Sequence, residues 1–254
     1  MGTFRWMGFA ALAAAMACND YSAVAPDPGP QATVFVASGN IAAEVDNFRN
    51  ALGPSNGGTA GGQPAGRRQI SWDGAGANPF NNRNDFPAAF FNTKVKSGAV
   101  FTTAGTGFRN DSTAFIEVNP NYGAEFTAFS PTKIFAPVGS NQLDQLFQVA
   151  GQPTPAVVNG FGIVLSDVDV ADKTTIELFA QDGSSLGTYV APVRSDAAGL
   201  SFIGVMYAEA LIARVRITLG TGALGANVND ISAGGTLDLV VLDNLIYGEP
   251  RKAF

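Results

Sequence analysis

The sequence has no histidine and a single cysteine, and only 14% of its 254 residues are charged. Without histidine there is no Ser-His-Asp or Cys-His pair and no imidazole to hold a metal. A response to pH near neutrality would have to come from a displaced carboxyl group. One cysteine gives neither an internal disulfide nor a thiolate cluster for zinc. Lys and Arg number 15 against 21 Asp and Glu, a net charge of −6, and no long basic run occurs. A nucleic-acid partner, held through its phosphates, is therefore excluded as an expectation. The chemistry left to the chain is that of carboxylates, hydroxyls, amides and aromatic faces.

What the chain holds in quantity is glycine (30), proline (14) and phenylalanine (19), with 46% hydrophobic residues overall. Breakers spread along the chain argue against a long helical assembly. The apolar and aromatic content argues against disorder.

The start of the chain carries an address. Arg5 precedes Trp6–Ala17, an uncharged apolar run too short to span a bilayer comfortably. It reads as the h-region of a signal peptide covering residues 1–17, with Ala15-Met16-Ala17 as the cleavage pattern. Cys18 then becomes the first mature residue. The segment resembles a bacterial lipoprotein signal, which implies acylation of Cys18, although Ala15 stands where leucine is usual. The other reading is plain secretion with a free thiol. Both export the protein, either anchored to a bacterial membrane by lipid alone or released. Residues 18–32 contain Pro26, Pro28 and Pro30 and read as a tether.

From residue 33 to 250 short apolar runs alternate with turn signals about every ten residues, the pattern of a sandwich or barrel. The expectation is an all-β fold, a two-sheet β-sandwich of jelly-roll type in a single domain, followed by a short tail at 251–254. Ile41, Val45, Phe48 and Leu52 are spaced as one helical face, predicting a short helix over 41–52. Strands are expected at 33–37, 99–103, 114–118, 133–136, 145–149, 157–165, 200–207 and 212–218. The run 174–180, the Asp182-Gly183 turn and 185–190 predict a hairpin. Leu237–Leu242 is nearly all apolar, as in a strand buried on both faces. The Gly-rich segment 53–66 lacks the phosphate-cradle pattern.

Several blocks carry a likeness: GRRQISWDG at 66–74, Phe129-Ser130-Pro131, GFGIVLSDVD at 160–169, and Leu237 through Pro250 with Asp243-Asn244-Leu245-Ile246-Tyr247. They resemble a group of exported bacterial proteins of unknown activity, many with cell-surface sorting signals. More loosely the chain resembles carbohydrate-binding jelly rolls. The resemblance implies a sandwich outside the cytoplasm and brings no catalytic residues.

Three constellations stand out. Asp167 and Asp169, two apart, would share a strand face, with Asp172 just beyond and Asp243 and Asn244 at the end of an apolar strand. If those strand ends meet, their oxygens suit Ca²⁺, a hard cation that takes six to eight oxygen ligands. The bland alternative is that these acids cap turns. Second, Trp72 and Asp73, the segment Arg83-Asn84-Asp85, and the expected loop at Arg109-Asn110 pair aromatic with hydrogen-bonding side chains, as a polysaccharide surface would. The alternative places Trp72 in the core. Third, Glu44, Asp46, Asp73, Glu117, Glu125, Glu177 and Glu209 supply acids for glycoside hydrolysis, but no compact signature of acids joins them. Arg214 and Arg216 share a strand face and are expected to pair with acids. The leading expectation is an exported, non-catalytic binding protein of the cell envelope, with a structural spacer as its rival and a hydrolase third.

Overall fold

The computed structural model describes residues 1, 30–73, 79–196 and 198–253. The expected signal peptide, Cys18, the tether up to residue 29 and the glycine of the Asp73-Gly74 turn lie outside the described residues. In chain order the elements begin with β1 (Thr33–Ser38), α1 (Ala42–Leu52), β2 (Arg67–Ile70), α2 (Phe90–Thr93), β3 (Ala99–Thr102), β4 (Gly107–Asp111) and α3 (Tyr122–Glu125). Then come β5 (Ile134–Val138), β6 (Gln142–Phe147), β7 (Ala156–Val157), β8 (Gly160–Ser166), β9 (Thr175–Phe179) and β10 (Ser185–Val190). The chain closes with β11 (Leu200–Met206), β12 (Arg214–Thr218), β13 (Val241–Gly248) and β14 (Arg251–Lys252).

Two antiparallel sheets form the sandwich. One has the order β1-β11-β8-β13-β5-β4, with β2 also on β13; the other runs β10-β9-β12-β6-β3. From β8 onward the chain alternates between the layers: β8, β11 and β13 lie in the first sheet, β9, β10 and β12 in the second. Arg251 and Lys252, expected in a tail, instead form β14 and pair with β7 as a small third sheet.

The period of two in each strand decides which side chains enter the core. Ile163 and Leu165 of β8 face Ile176 and Leu178 of β9 and Val215 and Ile217 of β12 in one cluster between the sheets. Phenylalanine dominates one end of that core: Phe86, Phe91, Phe101 and Phe135 all pack on Trp72. On the outside of the first sheet, Ile41, Val45, Phe48 and Leu52 lay the apolar stripe of α1 on Val164, Phe202 and Ile246. A third cluster of Phe115, Tyr122 and Phe126 covers Ile134, Leu239 and Val241. With both faces covered, every residue of β13 is buried. Burying each such Phe or Ile contributes about 1.5–3 kcal/mol.

Some boundaries differ from expectation. Residues 114–118 are not a strand, because Ala114 and Phe115 adopt left-handed backbone angles, φ 53° and 61°, which end extended structure. The strand lies just before, at β4, so Arg109 and Asn110 sit in a sheet and not on a loop. Leu237–Val240 precedes β13, and Asp243-Asn244 lies inside that strand. Leu242 pairs with Leu165 and Leu245 with Ile163, so Asp243 and Asn244 together oppose a single residue, as in a β-bulge.

Candidate functional site

Asp167 and Asp169 follow directly on β8, where the strand stops because Asp167 takes a left-handed φ of 71°. Three acids from distant parts of the chain join them. Carboxylate oxygens of Glu125, Asp167 and Asp230 lie within 4.8 Å of one another, as do those of Asp169, Asp230 and Asp238. Asp230 belongs to both groups. Glu125 closes α3, Asp230 forms a β-bridge with Leu237 just before a turn, and Asp238 leads into β13.

Backbone donors fix two of these side chains. Asp230 accepts the N–H groups of Ser232 at 2.8 Å and Leu239 at 2.7 Å. Asp238 accepts those of Asp169 at 3.2 Å and Val170 at 3.3 Å. The Ser232 hydroxyl donates to Glu125. Asp167 differs: it is 0% exposed, and neither carboxylate oxygen has a hydrogen-bond partner. Burial, followed by the charges of Asp230, Asp169, Glu125 and Asp238, pushes its carboxyl up to about 9. Burial, then Asp230 and Asp238, raises Asp169 to about 6. Among the described residues no Lys or Arg forms a salt bridge with any of the five acids. Such a group is held together either by protons or by cations, since bare carboxylates this close repel.

The residues expected from the sequence divide. Asp167 and Asp169 do not share a strand face, because β8 ends at Ser166 and Asp167 is left-handed; each joins a different acidic group, and Asp230 is common to both. Asp172 is exposed in a turn, φ 64°. Asp243 is not among the acids that gather there and serves a separate cluster. Its carboxylate accepts the N–H groups of Phe129 at 2.6 Å and Ser130 at 2.9 Å. The Ser130 hydroxyl lies 3.0 Å from Asp243 Oδ1 and 2.7 Å from Asp73 Oδ2. The indole N–H of Trp72 donates to the Asp243 carbonyl at 2.7 Å. Three of the sequence blocks singled out above, around Trp72-Asp73, Phe129-Ser130 and Asp243, therefore meet at the β13 bulge. Asn244 is buried with its side-chain oxygen unpartnered.

The expected polysaccharide surface is not one surface. Trp72 is 1% exposed and stacks on Phe135 with centroids 3.9 Å apart, so it offers no face to a sugar. The Asp73 carboxylate is occupied by Thr132, Lys133 N–H and Ser130. Arg83 and Asp85 pair with each other at the exposed surface. Asn110 is fully buried and its amide has no partner. Arg109 pairs with Asp111 and Glu117, and with Asn84 it lines an open pocket of about 240 Å³ walled by Phe115, Val118 and Pro137. Arg214 and Arg216 both pair with Asp144, as expected, and Arg214 also covers the Phe179 ring.

Sequence reasoning missed Glu125 and Asp230 as partners of Asp167, and Asp230 and Asp238 as partners of Asp169. One signal was present: Asp238 is a lone acid in an otherwise apolar run, and an acid there is buried and needs a partner.

No protein-family model matches the chain, and no curated protein does. Among solved structures, the enzymatically active domain of tailspike protein 4 from bacteriophage CBA120 is similar over 68% of this chain and 22% of that one, with 12% identity and a TM-score of 0.28. The chain thus spans about a fifth of that neighbour's length. A likeness at that level carries nothing about the chemistry of this chain.

Proposed function

We propose that the protein is an exported, non-catalytic β-sandwich of the cell envelope that is completed by calcium and binds surface polysaccharide. The observation that carries the calcium reading is Asp167: a fully buried carboxylate with both oxygens unpartnered, among four other acids. A buried unpaired carboxylate is costly, and a hard dication is the counter-charge that an all-oxygen site accepts. Glu125, Asp167, Asp169, Asp230 and Asp238 would hold it, and its role is to join loops that are far apart in sequence.

Several of the acids available for hydrolysis already have other work, which favours binding over catalysis. Asp46 pairs with Arg49, Glu117 with Arg109, and Asp73 accepts several donors. The pocket beside Asn84 and Arg109 is the place to seek a sugar ligand.

Thermal melts of the mature protein with calcium, with chelator and with magnesium test this reading. Calcium at about a hundred times its dissociation constant adds roughly 2.7 kcal/mol. For a domain of this size that raises Tm by roughly 5–10 °C. No shift at millimolar calcium overturns the cation. Retention on polysaccharide columns that is lost in Asn84→Ala supports the ligand; no retention on any glycan leaves a spacer role in its place.

A further inference from the structure

We propose that the acidic cluster takes two calcium ions, bridged by Asp230, with Glu125 and Asp167 completing one position and Asp169 and Asp238 the other. This deepens the calcium reading above and rests on it.

The first ground is geometric. Oxygens around one Ca²⁺ at about 2.3–2.6 Å are at most about 5 Å apart. Each of the two triads meets that limit, its oxygens lying within 4.8 Å of one another, and both include Asp230. Two triads with one shared member describe two neighbouring positions and a bridge. Each Asp230 oxygen accepts one backbone N–H, from Ser232 and from Leu239, and the Asp230 and Asp169 carboxyls lie within hydrogen-bond reach of each other, a contact that a bridging cation would take over.

The second ground is charge. The five carboxylates amount to −5 when ionised, and none forms a salt bridge with Lys or Arg among the described residues. One dication leaves −3 on a group whose members are mostly buried. Two leave −1.

The third ground is Asp167. It is 0% exposed, lies in the first triad, and has no donor on either oxygen. The N–H groups that hold Asp230 and Asp238 do not reach it, so a cation, a proton or an enclosed water has to satisfy it. In the second triad Asp169 is part exposed, and its Oδ1 is likewise unpartnered. The second position is therefore the more accessible one, and its ion should exchange faster.

The test is the calcium count of the chelator-treated mature protein, by native mass spectrometry and calorimetry. The wild type should bind two ions per chain. Asp238→Asn should keep one and weaken the other more than tenfold; Asp167→Asn should do the same at the other position; Asp230→Asn should lose both. Asp172→Asn, altered at an exposed turn, should still bind two. A single ion in the wild type overturns the pair and leaves the one-ion reading standing, while no ion overturns both. Two ions retained in Asp167→Asn and in Asp238→Asn overturn the assignment to these residues. The wild-type count does not depend on any variant folding.

Discussion

Gly162 on β8 and Gly204 on β11 are register partners, and together they form the slot that the Phe48 ring of α1 fills. A Cβ at Gly162 would stand 2.6 Å from Phe48 Cε1, and one at Gly204 would stand 2.9 Å from Cδ2. The absence of two side chains on the sheet is what lets α1 lie against it. Gly162→Ala should therefore displace the ring and cost about 1–3 kcal/mol, as overpacking does. Phe48→Ala empties the slot and should cost about 3–5 kcal/mol. Urea unfolding monitored by circular dichroism measures both. Unchanged midpoints would mean that α1 contributes nothing to the fold.

Arg68 and Glu249 form a bidentate ion pair with both side chains fully buried. The guanidinium also donates to the carbonyls of Gly57, Thr59, Gly61 and Lys96, so the Gly-rich segment wraps around a charge. Glu249→Ala leaves that charge unpaired and should cost about 3–5 kcal/mol. The double variant Arg68→Met with Glu249→Leu should lose much less than the sum of the single changes, read as a coupling energy in a double-mutant cycle.

Asp243 predicts a dependence on pH. The Ser130 hydroxyl has one hydrogen and three oxygens within 3.0 Å: Asp73, Asp243 and the Ser71 carbonyl. A proton on Asp243 that donates to Ser130, while Ser130 donates to Asp73, satisfies both carboxyl groups. Burial, and to a lesser degree the Asp73 charge, pushes Asp243 up to about 7. An unfolded aspartate titrates near ~3.9. The folded state thus binds the extra proton, and stability falls as pH rises. This contribution is complete below about pH 4 and is lost as pH rises through about 7. Asp243→Asn keeps a donor toward Ser130 and an acceptor for the N–H groups. The difference in stability between wild type and Asp243→Asn should shift toward the variant between pH 4 and 7. A difference that stays constant with pH rejects the shared proton.

The sequence alone determined most of the extended elements, the sheet faces and, among the described residues, the one long helix. These depend on periodicity within about ten residues: the 41, 45, 48, 52 spacing became α1, and the Asp182-Gly183 turn joined β9 to β10. It also marked Trp72, Ser130 and Asp243 as belonging to distinctive blocks. Local pattern misplaced β4, because Phe115 is apolar for packing in a turn and not in a strand. Only the tertiary structure decided that Asp167 meets Glu125 and Asp230, and Asp169 meets Asp230 and Asp238, while Asp243 turns to Ser130. Those meetings follow from the order of strands in the sheet and from a bulge in β13. Both are set by contacts between residues far apart in the chain, which no local period records.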